Sequence, residues 1–187
     1  MTLFEYLTVA FGLLYSLAAL RLIAGVSVAM APERRYWPHL LLTFSLLLMI
    51  TAGFWTFWSL RDVEWTFFGF LVAIAVVGLV YYLAAVLVPE NAGDVQSWRA
   101  HHAAIRRRWF VGWGLWAVMI AVNATVNLGF PLTHPSRGIQ ALALALGVMG
   151  ATSDRDRVHE ALAILIALGM VGLMFTIGLN PSWLLRM

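Results

Sequence analysis

Residues 65–88 read WTFFGFLVAIAVVGLVYYLAAVLV, a run without one charged side chain, closed by Pro89 and Glu90. A helix that crosses the hydrocarbon of a bilayer needs about 20 mostly apolar residues, and this run exceeds that length. In hydrocarbon each unpaired backbone N–H or C=O costs several kcal/mol, so a lone spanning segment must be helical. Strands of a membrane barrel would alternate polar and apolar residues over about ten positions. This run does not alternate.

Comparable runs lie on both sides of it. Residues 3–30 are apolar apart from Glu5 and Arg21, and residues 38–60 open with Pro38 and stop at Arg61. Residues 109–130 end before Pro131, a shorter run covers 136–152, and residues 158–179 end at Asn180-Pro181. Proline suits a first helical turn and cannot continue a helix, so these prolines read as boundaries. The segment 136–152 is short for a bilayer about 30 Å thick. Residues 95–108 contain no Gly or Pro and mix Arg with Ala and Ile, which predicts an interfacial helix leading into the fourth span. The expected fold is all-α: one transmembrane domain over residues 1–187, a polytopic bundle of about six spans.

Composition supports the same conclusion. Of 187 residues 62% are hydrophobic and 11% charged, with mean hydropathy +0.85, whereas soluble domains carry about a quarter charged residues. A soluble domain of this size leaves much of its surface exposed, so lipid is the solvent that accommodates such a chain. There is no Cys, which excludes disulfides, thiol catalysis and Cys-ligated zinc. Glu5 and the lack of a basic leader predict that the first helix is retained rather than cleaved as a signal.

All twelve basic residues are Arg, and their placement predicts orientation. With the N-terminus outside, the cytoplasmic loops hold Arg34, Arg35, Arg99, Arg106, Arg107, Arg108, Arg155 and Arg157. The external side holds only Arg61, Arg137 and Arg186. Both termini are therefore expected outside, in a bacterial inner (plasma) membrane. Trp55, Trp58, Trp65, Phe67, Phe68 and Trp183 read as an outer aromatic belt, and Tyr36, Trp37, Trp98, Trp109, Phe110 and Trp113 as an inner one.

Few polar residues interrupt the apolar runs. Arg21 either snorkels to the cytoplasmic headgroups or lines a buried pathway, paired with a carbonyl or carboxylate. Glu5 lies about 24 Å from it along one helix, too far to pair, and reads as an acid favoured by the helix N-terminus. Asn123 and Asn127 share a helix face at i, i+4 and serve either helix association or a polar cavity. Asp62 and Glu64, beside Arg61, either focus cations at an external mouth or form a solvated hairpin. Arg99, Arg106, Arg107 and Arg108 are expected to attract anionic lipid, at about 1 kcal/mol per residue near the surface; flanking spans argue against nucleic acid. Gly147, Gly150, Gly169 and Gly172 predict close helix packing.

His39, His101, His102, His134 and His159 all fall at helix ends, so no transmembrane haem and no metal or other cofactor is expected. The chain has no Gly-rich phosphate loop, HExxH or GxSxG, so an enzyme is the least favoured class. The favoured expectation is a channel or transporter subunit for an ion or small solute, homo-oligomeric, with Arg21, Asn123, Asn127, Asp62 and Glu64 on its pathway. The alternative is a non-transporting scaffold, sensor or lipid-binding partner protein that docks through residues 95–108.

Overall fold

The computed structural model describes residues 3–179, and Asn180-Pro181, Trp183 and Arg186 lie outside them. Six α-helices make up the described chain: α1 (Leu3–Ala29), α2 (Trp37–Thr56), α3 (Phe67–Leu87), α4 (Trp98–Val126), α5 (Ser136–Thr152) and α6 (Asp156–Leu179). Short 3-10 turns occupy Phe57–Leu60 and Ala92–Asp94. Five of the helices, all but α5, are long and apolar enough to cross a membrane. The protein is a multi-pass helical membrane protein by that measure.

Local chemistry places the boundaries. Pro38 sits in the first turn of α2, where its missing N–H is harmless. The Thr66 side chain caps α3 by accepting from the Gly69 N–H at 3.0 Å, and Ser97 caps α4 through the Ala100 N–H at 3.3 Å. Such caps satisfy donors that a helix start leaves open. Inside α2 the hydroxyls of Thr43, Ser45 and Thr51 donate to carbonyls four residues back, at 2.8, 2.7 and 2.9 Å. They therefore bring no orphan hydroxyl into the apolar layer.

The helices alternate in direction between two ends. One end gathers the turns after α1, α3 and α5 and most of the Arg residues; we call it the basic end. The neighbours run α5–α4–α3–α1–α2–α6, with α2 also against α3, while α2 barely touches α4 and α5 barely touches α6. On α1 the inward residues are Leu7, Phe11, Tyr15, Ala18 and Leu22, at the three- and four-residue steps of one helix face. The outward face keeps Leu13, Leu17, Leu20 and Ile23 more than half exposed. An apolar exterior of this extent is unfavourable in water by about 25 cal/mol per Å² and is what lipid requires.

Close approaches use glycine. Helices α4 and α5 cross where a Cβ on Gly147 would stand 2.9 Å from both Cα and N of Gly114, and Gly150 faces the Phe110 ring. A Cβ on Gly169 or Gly172 would meet nothing within 4 Å, contrary to the packing role expected of them. Helix α6 docks on α2 by a different face.

Two further expectations are corrected. Residues 98–108 are not a separate interfacial helix but the first turns of α4, which runs unbroken to Val126. Nothing between Ser97 and Gly112 interrupts the hydrogen-bond ladder, and a change from polar to apolar side chains does not break a backbone. At about 1.5 Å per residue α4 is about 43 Å long, so its Arg-rich start projects beyond a hydrocarbon core of about 30 Å. Secondly, Trp98, Trp109, Phe110 and Trp113 are buried inside the bundle, at most 4% exposed, rather than forming an inner belt. They lie on the α4 face that meets the other helices.

A buried imidazole cluster as candidate functional site

Three helices start at the basic end, and each brings histidine in its first turns: His39 on α2, His101 and His102 on α4, and His159 on α6. The structure brings all four together. The rings of His102 and His159 are 5.8 Å apart and those of His39 and His101 are 6.1 Å apart. Trp98 lies against His39 at 4.4 Å, and Tyr36 lies 5.4 Å from His102. His39, His102 and His159 are 0, 4 and 1% exposed.

The hydrogen bonding of this cluster is incomplete. His101 Nε2 meets the Leu87 carbonyl at 3.1 Å and His159 Nε2 the Ser153 carbonyl at 2.9 Å. Both ring nitrogens of His39, both of His102, Nδ1 of His159 and the indole N–H groups of Trp98 and Trp109 have no protein partner among the described residues. Each buried polar group left unsatisfied costs about 1–3 kcal/mol. An imidazole both donates and accepts, so these nitrogens leave donor and acceptor positions that no protein atom fills.

Ion pairs cover the cluster on the solvent side. Arg106 reaches Asp154 at 2.8 Å and Asp156 at 3.6 Å, and Arg99 reaches Asp156 at 2.8 Å. These contacts tie α4 to the α5–α6 turn. Burial pushes the Tyr36 phenol above its usual range, and the carboxylates of Asp156 and Glu160 push it further. Of the four arginines expected at a lipid surface, Arg99 and Arg106 are thus engaged within the protein, while Arg107 and Arg108 are exposed.

The residues singled out from sequence do not converge. The Arg21 Nε–H donates to the Val88 carbonyl at 2.8 Å, where Pro89 ends α3. Arg21 thus sits at the level of the α3 C-terminus, and α1 continues about 12 Å beyond it. Asn127 Nδ2 donates to the Gly69 carbonyl at 3.0 Å and to Asn123 Oδ1 at 2.8 Å, clasping α4 to α3 at the opposite end. Asp62 pairs with Arg61 at 3.2 Å in the exposed hairpin, and Glu64 is exposed beside it. His134, satisfied by Ser136 Oγ at 2.8 Å, is also at that end, apart from the cluster. Among the described residues no group of three or more His, Asp or Glu is arranged to hold a metal ion.

At the opposite end a mostly apolar cavity of about 190 Å³ is bounded by Phe11, Val76, Val77, Ile120 and Leu128, with polar groups from Tyr15, Thr56, Asn123, Ser136 and Gln140 and no charged side chain. Next to it Arg137 donates to the carbonyls of Ala121, Phe130 and Pro131 and to Gln140 and Thr125, at 2.7–3.2 Å. It clamps the α4–α5 turn, in which Gly129 has φ +66°. Arg137→Ala is expected to lower stability by about 2–4 kcal/mol, since hydrogen bonds to a charged group contribute about 1.5–3 kcal/mol each and do not add fully. Arg137→Lys should recover little of it, because an ammonium cannot span five acceptors laid out for a planar fork. Unfolding in mixed micelles measures both.

Single-residue reading missed the cluster because each histidine stood at a helix end. The available signal was that three helices entering from the same side each begin with one. Compared with protein-family models, curated proteins and solved structures, the chain matches none of them.

Proposed function

We propose that this chain is a membrane transporter or channel subunit that moves protons through the buried imidazoles of His39, His101, His102 and His159. The supporting observation is that His39 and His102, almost fully buried, leave four ring nitrogens without a protein partner. An ionisable group kept inside a membrane domain at a stability cost is by default a functional site. Neutral imidazole carries a donor and an acceptor, so neighbouring rings with intervening water can relay a proton. In this reading Tyr36 and the Arg106–Asp154–Asp156 pairs form the cytoplasmic entrance, both termini lie outside, and the membrane is a bacterial inner membrane.

The uncharged cavity at Asn123 and Gln140 is the opposite vestibule. His39 and Thr56 are about 25 Å apart along α2, and between them Leu42, Leu46, Met49, Trp109, Trp113 and Leu162 form a buried apolar layer. That layer closes the path in this conformation and calls for a conformational step, which fits a carrier better than an open pore.

Proteoliposomes enclosing a pH-sensitive dye, with a potassium diffusion potential as driving force, test the proposal. Wild type is expected to acidify or alkalinise the lumen at least tenfold faster than empty vesicles. Vesicles no more permeable than empty ones, with or without small uncharged solutes, would contradict it and favour the scaffold or sensor reading.

A further inference from the structure

Where α1 passes the end of α3, a cleft of about 490 Å³ opens to the outside, lined by Leu17, Leu20, Arg21, Tyr81, Glu90 and Asn91 among others. It holds two charges of opposite sign that do not neutralise each other. Arg21 has one hydrogen bond among the described residues, from Nε to Val88, which leaves both terminal NH₂ groups available. Glu90 is exposed in the turn after α3 and has no ion pair or hydrogen bond among the described residues. The C-terminus of α3 adds partial negative charge beside Glu90. Above the charged floor, Leu17 and Leu20 are 52 and 66% exposed and lead along α1 toward the apolar layer.

A simple anion fits this cleft poorly, because Glu90 and the end of α3 repel it. A simple cation fits poorly because of Arg21. We propose that the cleft binds a zwitterionic aminophospholipid: phosphate on the Arg21 guanidinium, primary ammonium on Glu90, and one acyl chain along Leu17 and Leu20. Guanidinium holds phosphate through paired N–H bonds, while a primary ammonium donates hydrogen bonds that a quaternary one cannot. No imidazole lines this site, and it does not depend on proton movement.

Native mass spectrometry of the detergent-purified protein tests this, with phosphatidylethanolamine, phosphatidylcholine and phosphatidylglycerol of identical chains added in turn. Phosphatidylethanolamine is expected to be retained at least fivefold better than either of the others. Glu90→Gln, at an exposed turn position, should fold normally and reduce that preference to below twofold, and Arg21→Gln should abolish retention. Soluble phosphoethanolamine should not displace the lipid. Phosphatidylglycerol retained as well as phosphatidylethanolamine, an unchanged preference in Glu90→Gln, or displacement by soluble phosphoethanolamine would overturn the proposal.

Discussion

His39→Phe is expected to remove most of the proton flux while changing stability little. His39 is 0% exposed, and neither of its ring nitrogens has a protein partner. Phenylalanine has a similar shape and keeps the tilted ring contact with Trp98, whose centroid lies 4.4 Å away. Replacing a buried polar ring that no protein atom bonds by an apolar one of like shape is nearly neutral, so stability should change by less than about 1 kcal/mol. Flux should fall at least tenfold, because the relay loses one imidazole and the water it holds. His102→Phe should behave in the same way, since its nitrogens are also unpartnered. If His39→Phe is instead destabilised by more than about 2 kcal/mol, the ring is making bonds that the fold requires, and its role is structural.

Gly147→Val is expected to be among the most destabilising single changes in the chain. A Cβ at this position would stand 2.9 Å from the Gly114 Cα and N and 3.2 Å from the Phe110 carbonyl. These are backbone atoms, so no side chain can rotate away, and the two helices must separate. Overpacking of this kind costs about 1–3 kcal/mol, occasionally more. Valine, with two further carbons on a short helix, should reach the upper end. Helix α5 has little else to hold it: it hardly touches α6, and beyond the Arg137 clamp its main polar tie is the Trp113 Nε1–H to the Ala143 carbonyl at 2.9 Å. Separation would break that bond too. Equilibrium unfolding by SDS in mixed micelles provides the measurement. Gly138→Val is the control, because a Cβ there meets nothing within 4 Å and should change stability little.

The spans were legible because proline acts locally. Pro38 and Pro89 mark helix ends in sequence that lie within two residues of those in the structure, the Thr66 cap emerges only from the structure, and the shortness of residues 136–152 was equally plain. The continuity of α4 was not legible in the same way. A change in side-chain polarity at Trp109 resembles a boundary, yet the backbone ladder depends on neither. The two readings of Arg21 could not be separated from sequence, because its level in the bilayer depends on where α3 ends beside it. The imidazole cluster is a tertiary fact: His39 meets His101 and His159 meets His102 only because the starts of α2 and α6 come up to the start of α4.

The most direct test of the central claim is water-edited solid-state NMR of the protein in bilayers, with ¹⁵N-labelled histidine and His39→Phe used to assign one ring. The imidazole nitrogens of His39 and His102, which no protein atom satisfies, are expected to receive magnetisation from water. Rings at those positions that receive none would contradict the proposed relay.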